Sequence, residues 1–229
     1  MARARISERE FESALSLIRE GGVSEATLVL LYGSADDFRK SQIAAALGRA
    51  PGSTGLQLLQ DLAGDTDQPA DVRCAAVHSL ASRLGPDASE ALRTRLGDGD
   101  DDVRDQAVIA LAAFGNDIAW AEICDDLVKA LPGQAPTPYG LQWETLALQS
   151  RILPMVCYLG RHLSTPERRA TVTETIRAGW SHLYPPEQRW FDENWPECNP
   201  GNPETGSSGP NPETLSAWIR KPFFENAIQ

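Results

Sequence analysis

Asp71-Val72-Arg73-Cys74-Ala75-Ala76-Val77-His78-Ser79-Leu80 recurs 31 residues later as Asp102-Val103-Arg104-Asp105-Gln106-Ala107-Val108-Ile109-Ala110-Leu111. The shared pattern is D-V-R-x-x-A-V-x-x-L. A weaker copy stands 34 residues upstream of the first, at Asp37-Phe38-Arg39-Lys40-Ser41-Gln42-Ile43-Ala44-Ala45-Ala46. A second short helical pattern precedes each strong copy, at 55–63 and at 88–96. Two helices in a unit of about 30–45 residues, repeated in tandem, are the mark of a helical repeat array.

The spacing has a physical reading. Val72, Ala76, Val77 and Leu80 fall at i, i+4, i+5 and i+8, one apolar stripe at helical period. Small alanines in the stripe let neighbouring helices approach closely. Asp71 and Asp102 open their copies, where a carboxylate suits unpaired N–H groups and the helix dipole. Arg39, Arg73 and Arg104 recur in register with the core, which favours a ladder to acids of the adjacent repeat over ligand contact. Gly48, Gly85 and Gly115 follow the stripes and are expected just past the helix ends.

This pattern resembles the HEAT-repeat family, in particular the short bacterial repeats also found in phycobilin-lyase-like proteins. The resemblance is best over 55–131 and extends back to Ser24. It implies an all-α fold, an α-solenoid of HEAT-like helix pairs, here with a Trp-rich helical C-terminal cap. In such arrays the second helix of each pair usually lines the concave face. In this register the groove positions are Lys40, Ser41 and Ala44, then Cys74, Ala75 and His78, then Asp105, Gln106 and Ile109. The family implies a fold and a protein-binding role more than an activity, because such arrays host many functions.

Outside the repeat, Ser7 and Glu10 predict a capping box for a helix carrying Phe11, Leu15 and Ile18. Helices are also predicted near 25–32, 118–131, 139–163 (kinked or divided by Pro154), 166–179 and 186–195. Residues 196–214 hold five prolines and three glycines, the composition of an exposed linker or loop. Beyond them Leu215, Trp218, Ile219, Phe223 and Phe224 predict a segment that docks back, with self-association through 215–229 as the other reading. The expected organisation is a solenoid over 1–131, a helical extension of the same domain over 132–195, the loop 196–214 and the docking segment 215–229.

Composition narrows the function. Asp and Glu outnumber Lys and Arg by 14 to 6 across residues 65–131, against 8 to 7 before them and 10 to 8 after. An acidic middle surface repels a phosphate backbone, so a basic protein or peptide is expected and nucleic acid is not. The apolar runs are too short to span a bilayer. Glu8, Glu10 and Glu12 interrupt the basic start before any signal-peptide core, so a cytoplasmic protein is expected. Eighteen arginines against three lysines, with abundant alanine, suggest a GC-rich bacterial genome. The four cysteines are far apart, as reduced thiols would be, and no Cys or His pair has metal-ligand spacing, so no metal or cofactor is expected. Asp98, Asp100, Asp101 and Asp102 lack the pattern of a calcium loop and read as a polar turn with a capping aspartate.

No catalytic residues are assigned, because no nucleophile elbow, P-loop or dinucleotide motif occurs. The aromatic concentration Trp180, His182, Tyr184 and Trp190 reads either as core for the terminal cap or as an interface patch. The sequence therefore points to a non-enzymatic protein-binding scaffold or adaptor, with an inhibitor or immunity-type protein for a basic partner as its specific form. The alternative is a small-molecule-binding or lyase-like enzyme using a pocket between the concave face and the C-terminal aromatics.

Overall fold

Every regular element among the described residues is helical, as the periodicity predicts. The computed structural model describes residues 9, 11, 13, 25–50, 52–134, 146–202 and 209–225, and the chain divides into two compact units, 1–110 and 111–229. The Ser7–Glu10 capping box lies outside the described residues, as do Leu15 and Ile18. No helix among the described residues is long and apolar enough to cross a membrane.

The first unit is built of helix pairs. Its helices are α1 (Glu25–Tyr32), α2 (Asp37–Leu47), α3 (Ser53–Gly64), α4 (Ala70–Leu84), α5 (Ser89–Arg95) and α6 (Asp101–Phe114), whose last turn belongs to the second unit. First helices stack on first helices, α1 on α3 and α3 on α5, while α2 packs on α4. This layering buries the stripe: Ile43 and Leu47, then Val72, Ala76, Val77 and Leu80, then Val103, Ala107 and Val108.

Two details differ from the sequence reading. Ala44, read as a groove position, is fully buried, because Ser79 of α4 donates to the Ala44 carbonyl at 2.8 Å and draws the two backbones together. Of the three glycines, only Gly85 is left-handed (φ +53°). Gly48 ends α2 at φ −59° and is small for another reason: a Cβ there would lie 2.7 Å from Ser79 Oγ.

One rung of the expected ladder forms between repeats. Arg73 Nη1 reaches both oxygens of Asp98, at 2.5 and 2.6 Å, and the two side chains are 8% and 2% exposed. Asp98 lies in the turn leading into α6, where its Oδ1 also accepts from the Asp100 amide at 3.0 Å and its carbonyl accepts from Arg104 at 2.5 Å. Asp100 in turn caps α6, accepting from the amides of Asp102 and Val103. The acidic run is thus a capping turn tied to the preceding repeat. Arg39 and Arg104 pair locally, with Asp36 and Asp101, and Arg39 also lies over the Phe11 ring. Helix ends are closed by arginine as well: Arg83 donates to the Leu47 and Gly52 carbonyls and Arg95 to that of Ala63.

The second unit is organised around one buried helix. After α7 (Trp120–Ala130) and the short α8 (Leu146–Gln149) come α9 (Ile152–Arg161), α10 (Pro166–Gly179), α11 (Pro185–Asn194) and α12 (Pro212–Arg220). Residues 152–160 are all buried, and α9 packs against α7, α10 and α12. Pro154 is the third residue of α9, where its missing N–H is harmless; the chain breaks just before it, with Ser150 Oγ accepting from the Leu153 amide. Thr165 caps α10, accepting from the Arg168 amide. Leu215 and Ile219 of α12 are buried, Gly160 allows the close approach of Leu215, and Ser216 donates to the Ala113 carbonyl at 2.9 Å.

Part of the expected loop 196–214 is core instead. Pro196–Cys198 form a 3₁₀ turn in which Glu197 and Cys198 are buried. The Glu197 carboxylate binds Arg169 through two N–H groups, accepts from Trp195 Nε1 at 2.7 Å and from Thr173 at 3.3 Å. Proline and glycine content could not reveal this, because one carboxylate with several donors pins the segment.

Candidate functional site

The seven residues expected to line a groove in the first unit share one property. Lys40, Ser41, Cys74, His78, Asp105, Gln106 and Ile109 are all half-buried, neither core nor fully in solvent. Lys40 and Ser41 come from α2 and Cys74 and His78 from its packing neighbour α4. Asp105, Gln106 and Ile109 take the corresponding positions on α6. Lys40 pairs with Asp37 at 3.4 Å and lies 5.7 Å from the centre of the Tyr32 ring. Ser41 donates to the Phe38 carbonyl, and the buried Gln106 Nε2 has no hydrogen-bond partner among the described residues.

Electrostatics along this face change sign. Burial, then the charges of Asp102, Asp100 and Asp71, push the Cys74 thiol up to about 11, so it is no activated nucleophile. Burial and the nearby Arg49 hold the His78 imidazole below its ordinary value, so it is neutral near pH 7. Exposed Asp67, Asp71, Asp101 and Asp102 crowd the starts of α4 and α6, while Lys40, Arg39 and Arg49 mark the α2 side.

The four C-terminal aromatics separate. Trp190 is 1% exposed and meets Phe191 and Trp218 at centroid distances of 5.3 Å, so it is core. Trp180 is half-buried beside Phe191, Tyr184 is half-buried at the start of α11, and His182 is exposed. Glu187 lies in the first turn of α11. It is fully buried and accepts from Ser150 Oγ (2.6 Å), Gln134 Nε2 (3.1 Å) and the Tyr184 amide (2.9 Å).

A cleft of about 390 Å³ opens elsewhere in the second unit, and none of the four aromatics lines it. Its walls come from the end of α9, the start of α10 and the chain leading into α12, and include Asp117, Arg161, His162, Ser164, Arg169 and Pro210. Arg161 Nη1 closes the end of α6, donating to the Leu111 and Ala112 carbonyls at 3.2 and 2.5 Å. Burial and Arg161 hold the His162 imidazole down to about 4, so the ring is neutral near pH 7. The sequence reading passed over this pair, whose signal is an Arg-His step directly after a fully apolar helix. Among the described residues no group of three or more His, Cys, Asp or Glu side chains could hold a metal ion.

No curated protein and no solved structure matches the chain. A family model described as HEAT repeats matches residues 25–131, which takes in the helix pairs of the first unit and continues through α7. HEAT repeats generally mediate protein–protein interaction. Residues 25–131 are thus similar to HEAT repeats, and their helix pairs and buried repeat stripe agree with that match.

Proposed function

We propose that this protein is a non-enzymatic scaffold of the cytoplasm whose α2–α4–α6 face receives a basic protein or peptide, an inhibitor or immunity-type role being its specific form. The array assigned to binding is 1–131, with 132–195 as its helical extension. The observation that carries the reading is the row of seven half-buried groove residues beside the exposed Asp71, Asp101 and Asp102. Half-buried side chains are already partly ordered, so covering them costs little further entropy. The neighbouring carboxylates would select a basic partner and speed its approach.

Capture from native lysate near 50 and near 300 mM salt tests this, because the higher salt shortens the screening length from about 14 Å to about 6 Å. The wild-type chain should retain a basic partner at low salt and lose most of it at high salt. An Asp101→Lys/Asp102→Lys/Asp105→Lys variant should fail to retain it. No partner, or one indifferent to salt and to the charge reversal, counts against the assignment.

A further inference from the structure

The cleft at the end of α9 holds one cation that the protein does not answer with an anion. Arg161 lines it and donates through Nη1 alone, to the Leu111 and Ala112 carbonyls at 3.2 and 2.5 Å. Those carbonyls end α6 and carry only the partial charge of a helix terminus. Nε and Nη2 form the other edge of the guanidinium. Neither makes a hydrogen bond among the described residues and neither is sealed from solvent, so this edge is open. Burial, then the like charge of Arg220, holds the Arg161 pKa below the ordinary arginine value. The cleft's other charges are matched: Asp117 pairs with Arg168 at 3.0 Å, Arg169 binds both carboxylate oxygens of Glu197, and the His162 ring is neutral near pH 7.

This balance selects the ligand. A half-buried guanidinium without a counter-ion is costly, and more so near a second cation. The Nε–Nη2 edge presents two parallel N–H groups, the fork that a carboxylate meets with both oxygens. A dianion such as sulfate would bring one charge too many, against the Asp117 carboxylate in the same wall. Leu163, Pro210 and Pro212 make part of the lining apolar, which suits the body of an organic acid. The cleft volume of about 390 Å³ is at the small end of the roughly 300–1,000 Å³ of ligand pockets, so the acid is a small molecule.

We propose that this cleft binds a small organic monocarboxylate, its two oxygens on Nε and Nη2 of Arg161 and its apolar part against Leu163, Pro210 and Pro212. The site lies within the second unit, and its test needs no partner of the α2–α4–α6 face.

The experiment uses the full chain with benzoate as the probe, benzamide as its uncharged isostere and sulfate as the dianion. The arginine Nε–H resonances are followed in ¹H–¹⁵N spectra near pH 7, with that of Arg161 assigned through the chain. Benzoate should move the Arg161 signal saturably and further than that of any other arginine. It should bind about tenfold or more tighter than benzamide or sulfate, the worth of one bidentate charge-assisted contact. Arg161→Lys, which keeps the charge but not the fork, should weaken benzoate about fivefold or more. Arg161→Gln should bring benzoate and benzamide within about twofold of each other. The spectra of the unaltered chain decide the matter even if a variant unfolds. An Arg161 signal that moves no more than those of the other arginines, or benzamide or sulfate binding as tightly as benzoate, overturns the proposal.

Discussion

Replacing Arg73 by Met asks whether the inter-repeat rung is structural. Methionine keeps an unbranched apolar stem, so the change mainly removes the guanidinium from Asp98, whose side chain is 2% exposed. At an effective dielectric of about 20, unit charges roughly 4 Å apart attract by about 4 kcal/mol. Breaking a buried pair from one side costs about 3–5 kcal/mol in other proteins. We therefore expect Arg73→Met to destabilise the first unit by about 3–4 kcal/mol near pH 7.

The pH dependence has a definite sign. Burial pushes the Asp98 carboxyl up, but the Asp100 amide and Arg73 outweigh it and hold the group below its ordinary value. In the native chain its stabilisation is present above about pH 4 and is lost as pH falls through the lower folded value. Without Arg73 the folded value rises, so mild acid protonates Asp98 in the variant first and relieves the stranded charge. The gap between variant and wild type should thus narrow between about pH 7 and pH 4. Arg73→Met/Asp98→Asn, which removes both charges, should recover most of the loss at neutral pH. Urea unfolding followed by far-UV circular dichroism is the assay, because all six tryptophans lie at or beyond residue 120. A loss below about 1 kcal/mol near pH 7, or a loss as large near pH 4, would refute the reasoning.

Glu197→Gln should lower the stability of the second unit by about 1.5–3 kcal/mol in tryptophan-monitored unfolding, since it removes the charge that binds Arg169 and Trp195. Burial pushes that carboxyl up but Arg169 and Trp195 hold it below its ordinary value, so the difference should fade below about pH 4. Gly48→Ala should cost about 1–3 kcal/mol by circular dichroism, because its Cβ would meet Ser79, which is held by its bond to Ala44. Trp190→Ala should cost about 3–5 kcal/mol while His182→Ala stays within about 0.5, core against exposed surface. Iodoacetamide near pH 8 should alkylate Cys74 at least about tenfold more slowly than free cysteine, and Asp100→Asn/Asp102→Asn should speed it; a rate equal to free cysteine would contradict the raised thiol pKa.

The half-buried face of the first unit was legible as a set of positions. The repeat register assigns one helical face, and its D+3, D+4 and D+7 positions came out half-buried except Ala44. That exception has a cause outside the register, since Ser79 lies 35 residues away and its hydroxyl draws α4 onto α2. The aromatic concentration was legible only as composition. Whether Trp190 meets solvent depends on Phe191 beside it and on Trp218, which arrives from a helix beyond the Pro/Gly-rich stretch.

What the sequence by itself determined is local and periodic: an all-α chain, the helix pairs, the buried stripe and the break before Pro154. These follow from a 3.6-residue period and from which residues tolerate helix ends, and both are written within a few turns of chain. Only the tertiary structure decided which charges are answered. Arg73 finds Asp98 25 residues on, and Arg161 spans about 50 residues to the end of α6. His162 bonds Gly115 through one nitrogen and leaves the other bare. Such pairings are set by where distant helix ends meet, which no sequence period encodes. The repeat was therefore legible from its first ten residues, and the cleft was not.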